Sequence, residues 1–236
     1  MPLLPERASV FPLAAWGVHA LTASGAILGF LALEAAFRGD TLMTFLWLAV
    51  ALVVDGIDGP LARTLSVERA TPNIDGAALD LVVDYLTYVV APVAWMLKSA
   101  VWPAEFAEAL AATVLVTSLY TFARRDMKAD SADFRGFPAV WNLVAAAFAA
   151  TAAAPVATAT VTLALSALTF TNLKVVHPVR VKSLRLLTLA ALLLWMAASG
   201  ALIGAPQWNR DVVLALWWIV TAYLLGLCAW RTARER

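Results

Sequence analysis

Long apolar stretches make up most of the chain, and the short polar segments between them hold most of its charge. Eight stretches stand out, at about 12–36, 42–64, 75–99, 104–124, 138–153, 155–175, 184–204 and 210–230. A helix needs about 20 apolar residues to cross a bilayer. Only the fifth stretch falls short of that. It is rich in alanine, and the alanine-rich run 145–159 suits closely packed helices. The pattern predicts an all-α polytopic membrane protein of about eight transmembrane helices, forming one domain over residues 1–236.

Charge placement adds an orientation. With the N-terminus in the cytoplasm and eight spans threaded, fourteen of the seventeen Lys and Arg residues fall inside, leaving Arg38, Lys98 and Arg210 outside. Basic loops favour the cytoplasm, so both termini and the turn at 65–73 are expected there. Composition agrees, with 62% hydrophobic and 14% charged residues, against roughly 25% charged in soluble domains. A net charge of +1 and the lack of a basic tract give no sign of a nucleic-acid partner. The single cysteine, Cys228, cannot form an internal disulfide, so cysteine usage does not report a redox compartment. The opening MPLLPERASVF is not an evident secretory signal, and the apolar run behind it is too long for one.

Four aspartates break the apolar pattern. Asp55 and Asp58 follow FLWLAVALVV in the second stretch; Asp80 and Asp84 precede YLTYVVAPVAWML in the third. Each charge inside a membrane helix costs at least ~2.5–3.5 kcal/mol on insertion scales, so four on adjacent helices require something cationic among them. Spacings of i,i+3 and i,i+4 put each pair on one helix face. The short polar turn LSVERATPN (65–73) makes an antiparallel hairpin of the two helices. With helix ends near 65 and 73, Asp58 and Asp80 lie roughly 10 Å deep, and Asp55 and Asp84 about one turn deeper. Hard oxygen ligands at this density suit Mg²⁺ or Mn²⁺. Room for two ions would give the two-metal arrangement used on phosphoryl groups. Gly59 and Gly76 leave space for a ligand beside backbone, and Arg63 can clamp a phosphate at the membrane surface. Simple pairing of the aspartates with Arg or Lys is disfavoured, because Arg63 is the one cation near them and Lys98 lies at the far end of its stretch.

Asp55, Asp58, Gly59, Ala62, Arg63, Gly76, Asp80 and Asp84 together resemble the signature of the CDP-alcohol phosphotransferases, D-x-x-D-G-x-x-A-R…G-x-x-x-D-x-x-x-D, with all eight positions matched. Twelve residues separate Arg63 from Gly76, a slightly longer gap than is usual in that family. HALTASG (19–25), VDGIDGPLAR (54–63), DGAALDLVVDYLTYV (75–89), SLY (118–120), FRGFPAVWN (134–142) and VHPVRV (176–181) extend the resemblance over about residues 12–190. In these segments it is to bacterial members that join CDP-diacylglycerol to choline and release CMP. The resemblance implies Asp55, Asp58, Asp80 and Asp84 as ligands of two Mg²⁺ or Mn²⁺ ions. It implies Asp58, Gly59, Ala62, Arg63, Gly76 and Asp80 as the cradle of the CDP group, and Asp84 as general base toward the choline hydroxyl. It also implies a bacterial inner-membrane enzyme working among membrane lipids, with its site facing the cytoplasm.

Several residues outside the signature carry weaker readings. His19 and Thr22 sit at i,i+3 level with the carboxylates, as a contact to substrate or aspartate or as a helix-packing pair. Tyr88, Tyr120 and Trp141 are the candidate holders of a quaternary ammonium, which aromatic faces bind; an interfacial aromatic belt is the competing reading. Arg180 and Lys182, in the basic cluster at 173–185, are candidates for a lipid phosphate, against plain positive-inside bias. Two rival functions stay open. A sister enzyme would use serine, inositol phosphate or glycerol phosphate, although Tyr85, Tyr88 and Tyr120 near the carboxylates favour a cationic, unphosphorylated acceptor. A divalent-cation transporter would leave Gly59, Arg63 and Gly76 idle. Homodimer formation is left open.

Overall fold

The computed structural model describes residues 12–124, 133–171, 174–176 and 185–234. Within these, every apolar stretch folds as a helix. Helix α1 spans Pro12–Arg38, α2 Thr41–Thr64, the four-residue α3 Val67–Ala70 and α4 Gly76–Lys98. They are followed by α5 (Ala107–Ala123), α6 (Trp141–Thr151), α7 (Pro155–Leu168), α8 (Arg185–Gly204) and α9 (Arg210–Arg234). Five of them, α1, α2, α4, α8 and α9, are long and apolar enough to cross a membrane. Only 22–33% of their most apolar windows is buried inside the molecule, so most of that surface faces outward, where lipid tails can receive it. The chain is an all-α, multi-pass membrane protein.

The other three stretches give shorter helices than expected, of 17, 11 and 14 residues for α5, α6 and α7. Ala152, at φ +49°, ends α6, and Pro155 opens α7. A small strand pairing was also not expected: β1 (Asp133–Arg135) runs antiparallel to β2 (Lys174–Val176).

Indole nitrogens tie the bundle together. Trp95 donates to Thr41, Trp102 to Thr162, Trp141 to Ser118, Trp195 to Thr221 and Trp217 to Ser199, all at 2.8–3.1 Å. In a lipid setting each N–H needs such an internal partner, since no water is there to serve it.

The position of α4 against α1 decides where the carboxylates sit. Asp75 caps α4 by accepting from Ala78 N at 3.0 Å. Beyond Tyr85 the helix widens into a π turn over Leu86–Val90, where Thr87 Oγ1 donates to Val83 O at 3.1 Å. Gly25 and Gly29 of α1 face this segment. A Cβ at Gly25 would lie 2.5 Å from Val83 Cγ1, and one at Gly29 would lie 2.7 Å from Leu86 Cδ2. Both contacts fit the small-residue seams that let membrane helices approach closely. Val83 is β-branched and stiff in a helix, so it cannot swing clear. Gly25→Ala is therefore expected to lower stability by about 1–3 kcal/mol, the usual range for overpacking. Thermal unfolding in detergent measures this, and an unchanged melting temperature would mean that the helices part freely.

Candidate active site

An open cavity of about 920 Å³ lies at the turn between α2 and α4, with Val18, His19 and Thr22 of α1 in its wall. The turn is more elaborate than that of a simple hairpin. Ser66, at φ +50°, breaks away from α2, α3 folds back over Ala15 and Val18 of α1, and α4 starts only at Gly76. His19 fastens the turn to α1, with Nε2 2.8 Å from Thr71 Oγ1. Thr71 donates its own proton to Val67 O at 3.0 Å, so His19 Nε2 is the donor in that pair. The His19 ring lies over Gly76, where a Cβ would come within 3.3 Å of it. Arg63 folds back over Gly59 in the same way, its Nη1 3.4 Å from where a Cβ would stand.

All six residues expected to cradle CDP, namely Asp58, Gly59, Ala62, Arg63, Gly76 and Asp80, line this cavity. Glu68, Arg69, Asn73 and Asp75 line it too, residues outside the eight-position signature. Asp75, an acid just before Gly76 and an apolar run, carries a legible helix-start signal. The others come to the wall only because α3 folds the turn back.

Asp55 and Asp84 lie behind the cavity, outside its described lining. With Asp80 they form a cluster in which each carboxylate offers an oxygen within 4.8 Å of the other two. An octahedral Mg²⁺ with bonds of 2.0–2.1 Å sets its ligand oxygens about 3–4 Å apart, so small side-chain rotations close the trio around an ion. Like charges this near repel one another unless a cation lies among them. The cluster can therefore hold a metal ion. Asp80 belongs both to the trio and to the cavity wall, so an ion there would be reachable from the cavity.

Asp58 stands on the cavity side of this trio. It is 4% exposed and accepts from Thr22 Oγ1 at 2.6 Å. Of the two readings for Thr22, the structure supports the contact to an aspartate. Tyr88 donates its phenolic proton to Asp55 Oδ2 at 2.5 Å.

The proposed aromatic set does not gather at the carboxylates. Tyr88 does reach one. Trp141 is 1% exposed, with its indole committed to Ser118 and its ring packed edge-on against Phe137. Tyr120 is 57% exposed and packs on Phe170. Neither is in the described lining of the cavity. Tyr85 turns toward α5, donating to Leu115 O at 3.1 Å. Arg180 and Lys182 lie outside the described residues.

A multi-pass helical bundle with an acidic ion-binding cluster beside a cavity bearing Arg63 is consistent with the class of the CDP-alcohol phosphotransferases. No family model matches the chain. Among curated proteins, it is 41% identical to the phosphatidylcholine synthase of Pseudomonas aeruginosa, over 98% of this chain and 99% of that one. It is 36% identical to the phosphatidylcholine synthase of Rhizobium johnstonii, over 93% of this chain and 90% of that one. With the phosphatidylcholine synthase of Bradyrhizobium diazoefficiens it shares 44% identity, over 79% and 70% of the two chains. The chain belongs to the phosphatidylcholine synthase family.

Proposed function

We propose that this protein transfers the phosphatidyl group of CDP-diacylglycerol to choline, giving phosphatidylcholine and CMP. The carrying observation is the convergence of Asp55 and Asp84 on Asp80, which itself stands in the wall of a cavity lined by all six expected CDP-binding residues. The names of the relatives agree with it.

In this reading the cavity at the α2–α4 turn receives the cytidine diphosphate at the cytoplasmic surface of the inner membrane. Gly59 and Gly76 let the nucleotide approach backbone, and the Arg63 guanidinium pairs with phosphate oxygens. Two divalent ions, Mg²⁺ or Mn²⁺, held by Asp55, Asp58, Asp80 and Asp84 would neutralise the diphosphate and stabilise the departing CMP. Asp84 takes the proton from the choline hydroxyl as that oxygen bonds to the phosphorus bearing diacylglycerol. The bond from this phosphorus to CMP breaks in the same displacement. Placing the site within membrane helices suits a donor with two acyl chains, which must enter sideways between helices.

A panel of alcohols offered with CDP-diacylglycerol to purified membranes tests the reading. Choline should support CMP release, and serine, inositol phosphate and glycerol phosphate should not. Preference for one of these would move the assignment to a sister enzyme. No CMP release with any alcohol, together with divalent-cation uptake into sealed vesicles, would overturn the class.

A further inference from the structure

Two hydroxyls from outside the eight-residue signature reach its carboxylates. Thr22 of α1 donates to Asp58 Oδ2 at 2.6 Å, and Tyr88 of α4 donates to Asp55 Oδ2 at 2.5 Å. Each bond crosses between helices, so neither follows from the local run of the chain. On a regular helix residues 84 and 88 share a face. The π turn over Leu86–Val90 changes that alignment, and the Tyr88 hydroxyl ends on Asp55 of α2. Such turns are frequent at functional sites. Gly29 leaves the space in α1 that this wider turn fills. Thr22 is 7% exposed and lines the cavity next to the residue it holds.

We propose that Thr22 and Tyr88 are positioning residues for ion binding, each fixing one oxygen of a carboxylate so that the other is presented to the metal. The inference rests on the metal-binding reading of the aspartates. A free Asp side chain must be ordered when the ion arrives; one already held by a hydroxyl is ordered beforehand. Outer partners of this kind typically contribute 10- to 100-fold to metal affinity. The inference also gives Tyr88 a different task from that of a cage wall. Its hydroxyl, rather than its ring, is the working part.

The test is Mn²⁺ binding to the purified full-length protein in lipid nanodiscs, read from the electron paramagnetic resonance of free Mn²⁺ and independent of turnover. Tyr88→Phe keeps the ring and removes one oxygen; Thr22→Val keeps the shape of the side chain and removes its donor. Each should raise the Mn²⁺ Kd about 10- to 100-fold. Thr22→Ser should bind within about threefold of the wild type, because the donor is restored. Wild-type Mn²⁺ affinity in both Tyr88→Phe and Thr22→Val would overturn the inference and leave the metal reading standing. Wild-type protein that binds no more Mn²⁺ than Asp80→Asn would bring down both.

Discussion

Asp80→Asn should abolish CMP release while leaving the fold in place. Asp80 is the carboxylate that joins the half-buried trio to the cavity, so its charge is the one an ion and a diphosphate would share. An amide has nearly the shape of the carboxylate but lacks its charge, and hard divalent ions favour charged oxygen ligands. Asp58→Asn should have the same outcome by a cleaner route. Thr22 can still donate to the amide oxygen, so the interhelical bond at 2.6 Å survives and only the charge is lost. Exhaustive chelation of the wild type should silence it equally, with recovery on adding Mg²⁺ or Mn²⁺. Measured CMP release in the two variants and in the chelated wild type decides the matter. Full activity after chelation would refute metal dependence outright.

The parts of this molecule that were legible in the sequence are those written in composition and short-range spacing. Each apolar stretch gave a helix at the expected place, five of them long enough to cross a membrane, because hydropathy alone announces such helices. The aspartates stood out because charge is costly in apolar sequence. Spacings of three and four residues predict a shared face for each pair; Asp55, Asp80 and Asp84 do meet, and Asp58 stands outside that trio.

What escaped depends on contacts between distant residues or on small departures from ideal geometry. The turn looked like a plain link, yet Ser66 at φ +50° and the helix Val67–Ala70 fold it into a cavity wall. The π turn leaves no periodic trace, since it shifts the register by a single residue. Strands of three residues are too short for alternation to show. Trp141 was expected near the acceptor from its place at a helix end. Its indole instead bonds Ser118 in the core, a partner twenty-three positions away that no local pattern names.

Asp84→Asn should lower turnover by about 10²–10⁴-fold, the usual contribution of a positioned general base. Asp84 sits at i+4 from Asp80 on α4, behind the cavity, and shares its oxygen cluster with Asp80 and Asp55. In the proposed reaction the choline hydroxyl approaches the phosphorus from the membrane side, past Asp84, with the nucleotide held nearer the turn. Asp58, Gly59, Arg63 and Gly76 line the cavity without it, so the nucleotide's main contacts survive its loss even though Asp84 shares the ion cluster. CDP-diacylglycerol binding should then stay within severalfold of the wild type while turnover falls by orders of magnitude. Equilibrium binding of the nucleotide lipid, measured beside steady-state CMP release, separates the two quantities. A parallel collapse of binding would show that the part of Asp84 as an ion ligand dominates, since loss of that ligand disorders the diphosphate clamp. Near-normal turnover would remove it from the chemistry and leave Asp55, its neighbour in the trio, as the carboxylate to test next.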